Sequence, residues 1–297
     1  MARRVFGGLS ELVSYDKAIS HLPPGDLVEI EGQRIHVRVS GEGPTLILLH
    51  GFMASAYTFR EIIPVLQDSF RVVSIDLNGF GYTERPKSAR AYRIQDQADL
   101  IVRVMEKIGL PPGIIVGHSY GGMVASVIAV RHPDSVQKLI LVSPPSGFDR
   151  LPWYLHSRIG QELLYLLCRR VVSNPKRYKA LSSRAFFREG ILTDEVSETY
   201  RNQLLIEGAR SSFFGIMEAL MAGEFPGIDF RDLEHPALVL AGEQDAVVRL
   251  ESCRSLAAKF RRGRLEVIPD CGHSAFEERP DEVIEAIRRF YGEMSQD

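Results

Sequence analysis

With 297 residues, 45% of them hydrophobic and 25% charged, the chain has the composition of an ordinary globular protein, and disorder is excluded. A formal net charge of −2 and the absence of a dense Lys/Arg block exclude general attraction to polyanions, so no nucleic-acid partner is expected. Three cysteines, Cys168, Cys253 and Cys271, lack zinc-type or Cys-x-x-Cys spacing and point to neither a disulfide framework nor a metal site.

Residues 1–25 read as an N-terminal extension in which Phe6, Leu9, Leu12, Val13 and Tyr15 fall at helical spacing, predicting a short amphipathic helix. Ser10 and Glu11 interrupt the apolar stretch after Arg3 and Arg4 too early for a secretory signal, and no apolar run reaches the roughly 18 residues of a membrane span. The expected location is cytoplasmic. Few cations follow the first residues, so packing of this helix on the protein is favoured over contact with a membrane.

Leu27 to Ile30 and Ile35 to Val39 flank Glu31-Gly32-Gln33 and predict a hairpin. Beyond it, Thr45 to Leu49, Val72 to Ile75, Ile114 to Val116, Leu139 to Val142, Leu238 to Leu240 and Leu265 to Ile268 are short apolar runs without polar alternation. Such runs suit a parallel sheet covered on both faces, and Gln95 to Ile108, Gly121 to Arg131, Glu251 to Phe260 and Asp281 to Tyr291 supply amphipathic helices between them. The expected fold is α/β, a mostly parallel central sheet flanked by helices, built from residues 26–146 and 233–297. After Ser143-Pro144-Pro145 the alternation stops, and residues 147–232 read as an inserted helical cap. Within it Thr193, followed by Asp194 and Glu195, predicts a helix start, and Gly208 a break between two helices. Charge divides within the cap: nine Lys/Arg and one acid, Glu162, from Arg150 to Arg188, then three Arg and nine acids from Glu189 to Asp232. The division is read as solvated faces and internal salt bridges rather than an anionic-substrate or membrane site.

Gly117-His118-Ser119-Tyr120-Gly121 lies where a strand run meets a helix run, and Gly-x-Ser-x-Gly at that junction presents a serine on a sharp turn. A serine hydroxyl needs a base to take its proton, and an imidazole suits the task. His273 follows the last strand run and a turn, within reach of the sheet's C-terminal edge. Asp245, after the run Leu238 to Leu240, is favoured over Glu243 and Asp149 as the carboxylate that fixes the ring's tautomer. Cys271, two residues before His273, is poorly placed to act as the nucleophile instead. Two amide donors are needed for a tetrahedral oxyanion: Tyr120 supplies one and Phe52, in a loop that Gly51 frees to turn, the other. His50 and His118 adjoin the two glycine motifs and are read as orienting the backbone there.

These motifs, with His50-Gly51-Phe52, the turn from Asp76 to Thr83, Arg131-His132-Pro133 and the run from Gly272 to Glu277, resemble the capped α/β-hydrolase superfamily over nearly the whole chain. In that superfamily epoxide hydrolases and dehalogenases carry aspartate where this chain has Ser119, so the resemblance implies an α/β-hydrolase fold and the serine-nucleophile, carboxylesterase or lipase-like branch. It implies no cofactor and no metal, and as partner a small-molecule ester with an apolar acyl group. Gly51 is a candidate substrate contact, and Trp153, Tyr154, Phe186, Phe187, Phe213, Phe214, Met217 and Met221 are candidate pocket residues, the cap's own core being the favoured role for any single one of them. The alternatives are hydrolysis of a carbon–carbon bond in vinylogous diketones, whose enzymes usually carry an aromatic residue where this chain has Ser274, and a non-catalytic ligand receptor on the same fold.

Overall fold

The computed structural model describes residues 12–145, 153–221 and 230–293. Among the described residues eight strands form one sheet: β1 (Leu27–Ile30), β2 (Gln33–Ser40), β3 (Thr45–Leu49), β4 (Arg71–Ile75), β5 (Gly113–His118), β6 (Val136–Val142), β7 (Ala237–Gly242) and β8 (Gly263–Ile268). They lie in the order β1-β2-β4-β3-β5-β6-β7-β8. β1 and β2 form an antiparallel hairpin whose turn places Glu31 at φ 51° and Gly32 at φ 80°, the two left-handed residues a tight hairpin of matching twist requires. β2 also runs antiparallel to β4, and from β4 to β8 every neighbouring pair is parallel.

The helices are α1 (Tyr15–Ile19), α2 (Ile63–Leu66), α3 (Ile94–Lys107), α4 (Tyr120–Arg131), α5 (Arg158–Val172), α6 (Pro175–Ser182), α7 (Asp194–Gln203), α8 (Ala209–Met221), α9 (Leu250–Ala257), α10 (Ala275–Glu278) and α11 (Pro280–Gly292). Successive strand residues feed opposite layers. Ile47, Leu49, Val73 and Ile115 join a core with residues of α3, α4 and α9, while Leu46, Leu48, Val72 and Ile114 join another with α2, α10 and α11. Burial on both faces is the physical reason the strand runs carry no polar alternation.

Helices α5 to α8 lie between β6 and β7, an insert with its own small core of Val172, Tyr178, Leu192, Val196 and Tyr200. Thr193 caps α7 by accepting from the Val196 amide at 3.2 Å, and Gly208, at φ 86°, separates α7 from α8. The helical spacing expected through Val13 does not hold at that residue. Val13 is extended, donates to Leu205 O at 2.9 Å and accepts from Glu207 N at 2.8 Å, so both its backbone groups are bound to the insert, and among the described residues of this extension the helix is Tyr15–Ile19. Phe6 and Leu9 lie outside the described residues. No helix among the described residues is long and apolar enough to cross a membrane.

The turn after β4 depends on the buried carboxylate of Asp76, which accepts from the Ala56 amide at 2.6 Å, the Tyr82 amide at 2.8 Å and His36 Nδ1 at 2.7 Å. Gly81 passes over this carboxylate at φ 50°, and a Cβ there would lie 2.0 Å from Asp76 Oδ2. Gly81→Ala is therefore expected to cost about 3 kcal/mol or more, through the collision and the left-handed backbone together, as read by urea unfolding. A variant as stable as the parent would show that the turn is not held in this way.

Candidate active site

β5 ends at His118 and α4 begins at Tyr120, leaving Ser119 at φ 49° and ψ −115°. An L-residue adopts this backbone only at a cost of the order of 1–3 kcal/mol, so neighbouring bonds must hold it. The Ser119 amide donates to Val142 O at 2.9 Å, and its carbonyl accepts from Gly122 N at 2.9 Å. A Cβ on Gly117 would lie 2.5 Å from Gly121 O, and one on Gly121 2.3 Å from Leu49 O, so only glycine fits on either side. Ser119 is half-buried at the head of α4, where the helix dipole favours negative charge.

The loop after β3 lies against this turn: a Cβ on Gly51 would stand 3.3 Å from Ser119 Cβ and 3.1 Å from His118 Nδ1. His50 fixes the loop. Its Nε2 accepts from the Leu77 amide at 3.0 Å, which leaves Nδ1–H to donate to Gly51 O at 2.8 Å, and burial lowers its pKa in keeping with this neutral tautomer. Among the described residues the Phe52 amide donates to no acceptor, while the exposed ring stands edge-on to Phe80 at 5.4 Å. Tyr120 is buried at the head of α4, with its hydroxyl accepting from Gln97 Nε2 at 2.8 Å.

His273 Nδ1 lies 2.8 Å from Asp245 Oδ2. Asp245 Oδ1 accepts from the amides of Val247 at 2.7 Å and Val248 at 2.8 Å, which aims the other oxygen at the ring. Burial opposes the charge on Asp245, but the hydrogen bond and field of His273 and the two amides hold its pKa below the usual carboxylate range. Glu243 is exposed and accepts from Gln244; Asp149 lies outside the described residues. Burial pushes the Cys271 thiol up to about 12, leaving it protonated at neutral pH. The buried His118 donates from Nε2 to His273 O at 2.8 Å, and the two rings lie 4.9 Å apart. Among the described residues neither Ser119 Oγ nor His273 Nε2 makes a hydrogen bond, so the structure joins His273 to Asp245 and leaves Ser119 and His273 unlinked.

One residue absent from the sequence reading organises this site. Glu278, at the end of α10 and fully buried, accepts through Oε1 from the amides of Gly272 at 3.1 Å and Ser274 at 3.2 Å, on either side of His273. Through Oε2 it accepts from Phe187 at 2.8 Å and Arg188 at 2.9 Å, in the insert. The His273 amide itself donates to Ala185 O at 2.9 Å. Beside it, Glu277 pairs with Arg60 at 2.6 Å, and Tyr200 of α7 meets Thr58 at 2.9 Å. The sequence carries no signal for this clamp, because its partners are main-chain amides.

The expected pocket residues part company. Phe186, like Met53 and Tyr57, packs against the Tyr178–Tyr200 core. Phe213 and Phe214 engage Tyr165 at 5.4 and 5.6 Å, and Phe214 lies beneath Arg158 at 3.9 Å, contacts internal to the insert. Met217 is buried on α8, and the side chain of Trp153 lies outside the described set.

The family model of the alpha/beta hydrolase fold matches residues 44–280, and the chain belongs to that family. It is similar to epoxide hydrolase 3 of Xenopus tropicalis, 30% identical over 88% of this chain and 76% of the relative. It is also similar to the pimeloyl-acyl-carrier-protein methyl ester esterase of Nitrosospira multiformis, 29% identical over 86% of this chain and 97% of the relative. Among solved structures, the 2-hydroxy-6-oxo-6-phenylhexa-2,4-dienoate hydrolase of Rhodococcus superposes with a TM-score of 0.76 at 25% identity, covering 90% of this chain and 97% of that one. The protein is thus a hydrolase, and its relatives span three reaction classes.

Two measurements probe the framework. Glu278→Gln presents an NH2 group to amide donors, leaving one or two of them unsatisfied at about 1–3 kcal/mol each, and urea unfolding should register that loss. Burial pushes His118 down to about 3 from its ordinary 6.5, so between those values the unfolded chain takes up a proton that the folded ring refuses. Stability should accordingly fall as pH drops through that window, and His118→Asn should flatten the slope; an unchanged slope would refute the account.

Proposed function

We propose that this hydrolase cleaves carboxylic esters through an acyl-enzyme, with Ser119 as nucleophile, His273 as base, Asp245 orienting that base, and the Phe52 and Tyr120 amides as the oxyanion hole. The observation that carries the reading is the 2.8 Å contact of His273 Nδ1 with Asp245 Oδ2, which directs the ring's other nitrogen away from the carboxylate. The left-handed backbone of Ser119 beside Gly51 supports it, since this turn lifts a side chain off the sheet edge.

In this reading His273 Nε2 takes the Ser119 hydroxyl proton as the oxygen attacks the ester carbonyl, and the two amides stabilise the oxyanion. The tetrahedral species collapses by breaking the bond to the alcohol, which leaves with the proton from His273. Water then gives a proton to His273 and attacks the acyl carbon; release of the acid returns the proton to Ser119. The residues present suffice without metal or cofactor. Phe186 and Met53, which pack against the same apolar core of the insert, favour an apolar acyl group.

A second reading, cleavage of a carbon–carbon bond in a vinylogous diketone, draws support from the similarity to the Rhodococcus dienoate hydrolase. It ranks lower because Ser274 follows His273 where an aromatic residue is usual. Epoxide opening is disfavoured by Ser119 itself.

A fluorophosphonate probe should label the protein at Ser119, and Ser119→Ala should abolish labelling; an unlabelled protein would sink the acyl-enzyme reading and point to a ligand receptor. Turnover of short-chain p-nitrophenyl esters should exceed that of a ring-cleavage dienone. His273→Ala should lower kcat by a factor on the order of 10⁴ or more while leaving the fold intact, and near-normal turnover would remove His273 from the mechanism.

A further inference from the structure

Helix α5 carries an outward row that the described residues leave exposed. Ile159, Leu163, Leu166 and Leu167 recur at i, i+4, i+7 and i+8, so they share one face, and they are 76%, 58%, 54% and 62% exposed. The opposite side packs inward through Gln161 and Val172. Four large aliphatic side chains in a row form a continuous apolar stripe, unlike the scattered exposed residues of an ordinary surface.

The surroundings of this stripe are cationic. From Trp153 to Arg188 there are eight Lys/Arg and a single acid, Glu162, in a chain whose net charge is −2. Glu162 is engaged by Arg210 at 2.5 Å, and Lys179 is paired with Asp194. Arg170, Lys176, Arg177 and Arg184 make no ion pair among the described residues, and Arg170 lines an open groove with Leu163, Leu166 and Leu167. The pairing between the two halves of the insert is therefore partial, and the unpaired charge of Arg170 lies beside the stripe.

We propose that the α5 face of the insert docks on an anionic lipid surface, with the aliphatic row entering the headgroup and acyl boundary and the flanking cations meeting lipid phosphates. An interfacial helix needs this combination of an apolar face and basic flanks. At 15 residues α5 is about 22 Å long, suited to lie along a membrane rather than cross it. A second copy is the poorer occupant, because a two-fold contact of this face with itself would bring Arg170 and its neighbours against like charges. A protein partner is also poorer, since protein hot spots favour Trp, Tyr and Arg over Leu. The docking is independent of the reaction assigned to Ser119.

The test is sedimentation of the full chain with vesicles of phosphatidylglycerol and phosphatidylcholine in equal parts, against vesicles of phosphatidylcholine alone. The protein should pellet with the mixed vesicles, at least tenfold more strongly than with the neutral ones, and release as salt is raised. Leu163→Asp/Leu167→Asp should reduce binding at least tenfold while keeping the parent melting temperature, as expected for exposed positions. Arg170→Gln and Arg177→Gln should each weaken binding to the mixed vesicles by about fivefold and leave the neutral ones unaffected. Failure to pellet, binding indifferent to the leucine substitutions, or a dimer in vesicle-free solution that those substitutions dissociate would each overturn the proposal.

Discussion

Because β3 to β8 run parallel, the segments leaving their C-terminal ends emerge along one edge of the sheet. The loop of Gly51 and Phe52 follows β3, the Asp76 turn follows β4, Ser119 follows β5, Asp245 follows β7 and His273 follows β8. Residues separated by more than a hundred positions are neighbours for this reason alone. Strand pairing sets the spacing between them: Leu49 is in register with Ile75 and Gly117, which places the glycine loop between the Asp76 turn and the serine turn.

The electrostatics follow from the same crowding. His50 and His118 are wholly buried and kept neutral, so each has one donor and one acceptor nitrogen, and each spends its donor on a backbone carbonyl, Gly51 O or His273 O. Neutral imidazoles can fix loops without adding positive charge near His273, whose pairing with Asp245 would be weakened by competing cations. Asp76 and Asp245 stay ionised in buried surroundings because amide donors and a histidine ring surround each of them.

Much of this was legible in the residues. The unalternated apolar runs located the strands, since burial on both faces leaves no other pattern, and the chain order of Ser119, Asp245 and His273 pointed to the loops that the sheet gathers. Glu278 was not legible, because four main-chain amides leave no trace in side-chain identities and the chain has 38 Asp and Glu to choose among. Val13 departs from the helical expectation for a related reason: helical spacing of apolar residues does not reveal that Leu205 and Glu207 bind its backbone. The aromatic residues of α8 were ambiguous because composition cannot distinguish a pocket wall from the packing of one helix on another, and Phe213 and Phe214 packed on Tyr165.

The insert has two unlike sides. Toward the sheet it is held by buried polar contacts: the Glu278 clamp, the Glu277–Arg60 pair, the Thr58–Tyr200 contact and the pairing of Val13 with Leu205 and Glu207. Such contacts are directional, so a small shift of the Ala185–Arg188 segment would strand amide donors around Gly272 and Ser274 and disturb the loop of His273 between them. Away from the sheet, α5 is held on one side by Val172 packed in the insert's small core and by Gln161, which donates to Leu155 O at 3.0 Å, and meets solvent on the other. Displacement of the insert would be resisted most at the His273 loop, where one carboxylate binds four amide donors. The geometry beside His273 is thereby insulated from whatever contacts the outer helix.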